Sequence, residues 1–192
     1  MSAGSDQDGQ LYIRYLKEED DDALGILYEK YRESLILFLY GIVGNMEDAE
    51  ELMMDTFAVL ASGTVRYQLR KDALFKTWLY AIAQNKARMF LRKARKYLPA
   101  GDEGVAEQLK DEKAGPEELL LKNERYASLY RALDSIPAEY RQVLYLMFFE
   151  ELKSEQIARI LKKTTKQVYN LSARGKTALK GALERMGYTW DL

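Results

Sequence analysis

Apolar residues recur every three to four positions along most of this chain, and that period belongs to α-helices. Leu24, Leu27, Tyr28, Tyr31, Leu35, Phe38, Leu39 and Ile42 make one such stripe, which Gly44-Asn45 ends. A second helix is predicted from Met46 to about Ala61, with Ala49, Leu52, Met53, Thr56, Phe57 and Leu60 inward. The longest runs from Phe75 to Lys96. Phe75, Trp78, Leu79, Ile82, Met89 and Phe90 fall on one side of it, while Thr77, Gln84, Arg88, Arg92 and Arg95, with Tyr80 beside them, fall on the solvent side.

The pattern lapses twice. Residues 1–10 are small and polar and are expected to be disordered, with a short helix over Leu11 to Leu16 after them. Residues 99–116, rich in Gly, Ala and acids, read as an interdomain linker. Periodicity then resumes with Leu119, Leu120, Tyr126, Leu129, Tyr130 and Leu133, stopped before Pro137. Pro137 starts a deeply apolar helix through Val143, Leu144, Leu146 and Met147. Ser154 is expected to cap the short helix SEQIARIL, and Thr164 the final one, whose inward stripe is Val168, Leu171, Gly175, Leu179, Ala182 and Met186. The fold class is therefore all-α, with two helical domains, residues 11–98 and 117–188, joined by a flexible linker.

Composition narrows the chemistry. The chain has 192 residues, enough for one or two small domains with real cores, and only 3 Pro and 12 Gly interrupt its helix formers. It contains neither cysteine nor histidine, which removes disulfides, the usual zinc sites and Ser-His or Cys-His catalysis. No convergent catalytic constellation is visible, so neither an enzyme nor a cofactor is expected. No apolar run reaches the roughly 18 residues of a membrane span, and MSAGSDQDG lacks the features of a signal peptide. A cytoplasmic protein without membrane insertion is the expectation.

Net charge is only −1, but the charges are segregated. From Ser62 to Leu98 there are ten Lys/Arg against one acid, Asp72, with Tyr67, Phe75, Trp78, Tyr80, Phe90 and Tyr97 interleaved. Basic residues attract phosphate and aromatic rings stack on unpaired bases. By helical phase Phe75, Trp78 and Phe90 are core residues first, leaving Tyr67 and Tyr80 as the stacking candidates. The Met46 helix instead carries Glu47, Asp48, Glu51 and Asp55 outward with no basic residue. That face is either simply solvated or a dock for a basic or polar partner.

A short helix, a tight Lys162-Lys163 turn and a longer basic helix fit a helix-turn-helix. The outward row on the second helix is Lys166, Gln167, Tyr169, Asn170, Ala173, Arg174, Thr177 and Lys180. Asn and Gln pair with adenine and Arg with guanine, so this row can read bases in a major groove.

These residues resemble the sigma-70 family. LYEKY, GNMEDAEELMMDTF and FKTWLYAIAQNKA look like its region 2, and LDSIPAEYRQVLYLMFFEELKSEQIARIL with KQVYNLSARGKTALK looks like region 4. The short acidic linker between them resembles the extracytoplasmic-function (ECF) group. The resemblance implies that Asp48, Glu51 and Asp55 dock on the β′ clamp helices of core RNA polymerase, with the β flap as a further contact. It implies that Arg66, Tyr67, Arg70, Lys71, Tyr80, Gln84, Asn85, Arg88, Arg92 and Arg95 bind and melt the −10 element of promoter DNA. It further implies that Lys166, Gln167, Tyr169, Asn170, Ala173, Arg174 and Lys176 serve the −35 element, and that an anti-sigma factor regulates the chain. Two departures stand out. Lys162 occupies a turn position where many relatives carry Gly, and Ser172 a place where they often carry a bulky apolar residue.

Two other readings compete. A stand-alone helix-turn-helix regulator would dimerise on a palindrome without polymerase. A helical interaction protein would bind an acidic protein, and DNA only weakly and without sequence preference.

Overall fold

The computed structural model describes residues 6–18, 20–65, 67, 74–96 and 124–188, and among them lie eight helices and no strand. They are α1 (Gln7–Glu18), α2 (Asp21–Val43), α3 (Met46–Ala61), α4 (Phe75–Arg95), α5 (Glu124–Asp134), α6 (Ala138–Phe148), α7 (Ser154–Leu161) and α8 (Thr165–Arg185). The expected linker and the Leu119 to Asn123 stretch lie outside the described residues. None of the described helices is long and apolar enough to cross a membrane.

Side chains at the ends of α2 and α3 fix a tight antiparallel pair. Asp20 caps α2 by accepting from the Ala23 N–H at 3.2 Å, and Asp21 and Asp22 complement the helix dipole. Gly44 closes α2 in the left-handed region at φ 78°, with its N–H on the Tyr40 carbonyl. Asn45 at once caps α3 through the Asp48 N–H at 3.0 Å. The α3 stripe is buried at every predicted position, and the Thr56 hydroxyl satisfies itself on the Leu52 carbonyl at 2.8 Å. Helix α1 starts at Gln7, inside the segment expected to be disordered. Asp6 and Asp8 bond to residues far along the chain, so these polar residues are anchors.

The second domain packs α5, α6 and α8 around Leu133, Leu144, Leu179 and Leu183. Helix α7 starts at Ser154, but Ser154 does not cap it. Lys153 holds the extended cap position, and its N–H donates to Gln156 Oε1 at 2.9 Å. Thr164 does cap α8, in a reciprocal pair with Gln167. Between them Lys162 adopts the left-handed conformation that glycine takes without strain, φ 53° and ψ 45°. The turn geometry is kept despite the lysine, at a conformational cost of about 1–2 kcal/mol. Lys162→Gly removes that cost but adds unfolded-state entropy. A net gain of about 0.5–1 kcal/mol is expected in urea unfolding of the full chain.

The two domains share one core. Helix α6 lies on α2 and α7 on α4, so Phe38 meets both Tyr80 and Tyr145. Hydrogen bonds stitch α2 to the second domain, among them Tyr130 Oη to the Leu37 carbonyl at 2.6 Å, Tyr145 Oη to Ser34 O at 2.8 Å, and Arg141 Nη1 to Gly41 O at 3.1 Å. Arg141 also donates to the carbonyls of Leu133, Asp134 and Ile136 at the end of α5, which satisfies its buried charge.

Candidate polymerase and nucleic-acid interfaces

Helix α3 presents its carboxylates as the periodicity predicts. Glu47, Glu51 and Asp55 are exposed and Asp48 is half-buried. Burial, then Glu51 and Glu47, pushes the Asp48 carboxyl above its usual range. The folded state thus holds this proton more tightly than the unfolded chain, so stability falls as pH rises through the Asp48 titration. An acidic face that costs stability at neutral pH is relieved by a cationic partner. Part of that relief is internal, because Lys86 on α4 reaches Asp55 at 3.2 Å.

Helix α4 divides in two. In its C-terminal half Arg88, Arg92 and Arg95 are exposed and Asn85 is half-buried, giving a basic surface free for phosphate. The N-terminal half corrects the expected solvent face. Tyr80 is 0% exposed and donates to Ser34 Oγ at 2.9 Å, so no base can stack on it here. Gln84 and Thr77, also placed toward solvent, are 4% and 3% exposed. The second domain covers them. Gln84 Nε2 donates to Gln142 Oε1 at 3.3 Å, and Gln156 Nε2 donates to Thr77 Oγ1 at 3.3 Å. Lys76 is paired with Glu150 at 2.7 Å and bonds its carbonyl at 2.9 Å. Burial, then the Glu150 carboxylate, pushes the Tyr80 and Tyr145 hydroxyls well up. Gln84 Oε1 is buried with no hydrogen-bond partner among the described residues. Met89, expected inside, is 60% exposed.

Of the remaining −10 candidates, Arg66, Arg70 and Lys71 lie outside the described residues. Tyr67 is half-buried, with its ring against Tyr12, Phe75 and Trp78 and its hydroxyl on Asp6. Asp6 is a residue that sequence reasoning missed. Its only signal was an acid in a polar terminus.

Helix α8 keeps its predicted outward row open. Lys166, Gln167, Tyr169, Asn170, Ala173 and Arg174 are all exposed. Gln167 Oε1 is engaged in the cap at 2.7 Å from Thr164 N. Lys176 is half-buried, its ammonium 5.9 Å from the centre of the Phe148 ring. Ser172 faces inward and satisfies its hydroxyl on the Tyr169 carbonyl at 2.9 Å, while Leu171 is only half-buried and Met186 is exposed.

An exposed polar and basic helix on one domain, and a basic helix beside an acidic one that carries no Lys or Arg on the other, make a two-domain helical protein with surfaces suited to nucleic acid and to a further macromolecule. The Sigma-70 region 2 family model matches residues 27–97, and the Sigma-70, region 4 model matches residues 126–179. The RNA polymerase sigma-H factor of Pseudomonas aeruginosa is 30% identical over 190 residues, covering 93% of this chain and 95% of its own length. The ECF RNA polymerase sigma factor SigW of Bacillus subtilis is 27% identical, covering 89% of this chain and 94% of its own length. Among solved structures, CnrH in complex with the cytosolic domain of CnrY aligns with a TM-score of 0.60 at 17% identity, over 93% of this chain and 97% of that one. The sigma factor RpoE with the anti-sigma factor NepR from Bartonella quintana aligns at 0.57 and 16% identity, over 89% and 98%. The chain belongs to the sigma-70 family, in its extracytoplasmic-function group. The relatives span both domains, which favours a sigma factor over a stand-alone regulator.

Proposed function

We propose that this chain binds core RNA polymerase through α3, holds −10 DNA through α4 and reads −35 DNA through α8, so directing initiation without catalysing a step itself. Asp48, Glu51 and Asp55 supply the polymerase dock. Arg88, Arg92 and Arg95 supply phosphate contacts, and the α4 surface beneath the second domain meets the unpaired strand once exposed. Tyr169, Asn170, Ala173 and Arg174 face base edges, with Lys166 and Lys176 on phosphates. The observation that carries this reading is the pairing, on one chain, of an unobstructed recognition row with an acidic helix that has no cation of its own.

The protein works in the cytoplasm, where core polymerase and promoter DNA are. Its regulator is an anti-sigma factor, a reading supported by the NepR complex among the solved relatives.

Arg174→Ala tests the −35 assignment. One bidentate guanine contact is worth about 1–3 kcal/mol, so affinity should fall about 5- to 150-fold on the preferred sequence. Discrimination should relax at a single −35 position. A uniform loss across all sequences would make Arg174 a phosphate contact instead.

A further inference from the structure

The region 2 match begins at residue 27, which leaves α1 without an assigned role. Its contacts converge on one place. Helix α4 starts at Phe75, and its cap residue, Leu74, has no side chain that can accept a hydrogen bond. Asp6 does that work from 69 residues upstream, accepting from the Phe75 N–H through Oδ2 at 2.7 Å. The same oxygen accepts from the Tyr67 hydroxyl at 2.5 Å, and Oδ1 accepts from the Gly9 N–H at 3.1 Å. A carboxylate there also faces the positive end of the α4 dipole.

The rest of α1 grips the end of α3. The Tyr12 hydroxyl donates to Leu60 O at 3.0 Å and the Tyr15 hydroxyl to Ala61 O at 2.7 Å. The Tyr12 ring, fully buried, lies 5.8, 5.4 and 5.3 Å from those of Tyr67, Phe75 and Trp78. A Cβ on Gly9 would sit 2.3 Å from the Tyr67 hydroxyl oxygen, so only glycine permits this approach. On its other side α1 is fixed to α2, where Asp8 accepts from Lys30 at 2.6 Å and Tyr31 at 2.5 Å. Burial, then the Asp6 bond, pushes the Tyr67 hydroxyl up, which keeps it a donor.

Helix α1 is thus a strut between α2 and the junction of α3 with α4. Resting on the reading that Tyr67 and α4 serve the −10 element, we propose that α1 is a positioning element for −10 recognition, with Asp6 holding Tyr67 and the first turn of α4 in place for the unpaired strand. Asp6 touches no DNA in this role. A plain cap would only stabilise the fold. A positioning residue also sets which −10 base is preferred.

The test uses holoenzyme assembled from core polymerase and full-length Asp6→Ala, Asp6→Asn or unaltered chain, on promoters that differ by one base at each −10 position. Asp6→Ala should lower initiation on the order of tenfold. It should also flatten the −10 preference while core binding and the −35 preference stay unchanged. Asp6→Asn keeps an acceptor for Tyr67 and Phe75, giving up only the bond from the Gly9 N–H, and should restore most of the preference. An unchanged −10 preference in Asp6→Ala, or a loss that follows core binding on every promoter, would overturn the proposal. Absence of promoter-specific initiation by the unaltered chain would instead overturn the sigma reading. The strut is then read from Trp78 emission in a Trp190→Phe chain. A red shift in Asp6→Ala that Asp6→Asn lacks supports the strut, and an unshifted spectrum rejects it.

Discussion

Joining positions 77 and 156 silences promoter opening by at least about 100-fold, and cutting the join restores it. Thr77 and Gln156 face each other across the two domains at 3.3 Å. The chain has no cysteine, so a Thr77→Cys/Gln156→Cys pair joined by a short reducible thiol reagent is a unique link. Length forces the domains apart. Promoter elements centred 25 base pairs apart lie about 85 Å apart along B-DNA, whereas a compact chain of this size has a radius of gyration of about 16 Å. The closed molecule cannot touch both elements with α4 and α8, so the domains separate before they act together.

Opening must break the shared apolar core around Phe38, Tyr80 and Tyr145, but part of the seam is polar and lowers the cost. Thr77, Gln84 and Lys76 meet Gln156, Gln142 and Glu150, all groups that water can satisfy after opening. Closure also leaves Gln84 Oε1 buried without a hydrogen-bond partner among the described residues, a defect worth about 1–3 kcal/mol. Opening hands that oxygen to solvent or to a base. The linked protein should still bind a −35 duplex, since the α8 reading row is exposed in the closed form. Equal initiation by the linked and cleaved forms would refute required opening.

Reversing the α3 charges is the second large effect. Asp48→Lys, Glu51→Lys and Asp55→Lys together should weaken core binding by about 100-fold or more, close to 3 kcal/mol. Each exposed ion pair contributes only about 0–1 kcal/mol, but reversal adds repulsion to the loss of attraction. The fold should survive, because Glu51 and Asp55 are exposed and Asp48 is half-buried. Losing the Asp55–Lys86 pair removes at most about 1 kcal/mol. Binding of the −35 duplex by the triple variant serves as the control and should not change. Undiminished core affinity would show that α3 is merely a solvated face.

Most of the fold was legible because each helix of the first domain buries a stripe against its neighbours, and a stripe leaves a 3.6-residue period. Helix ends were legible at Gly44-Asn45, which closes α2, and at Thr164, which caps α8, but not at α7, where Lys153 rather than Ser154 holds the cap position. The outward row of α8 and the acidic face of α3 were legible as exposed surfaces because little among the described residues covers them. Tyr80 and Gln84 were misplaced because the second domain buries the α4 face with polar partners, so the covered surface still looks solvated in sequence. Met89 failed for the opposite reason, an apolar residue on the turn of α4 that no described element reaches. Asp6 was invisible because a cap supplied from 69 residues away has no local spacing to betray it.

This chain converts core polymerase into a promoter-specific enzyme. The most direct measurement is transcription by sigma-free core polymerase, with this protein added, from a pool of randomised promoters. Discrete start sites, each preceded by a common −35 and −10 sequence and absent without the protein, are the predicted result. Transcripts without a shared upstream sequence, or no association with core at all, would contradict it.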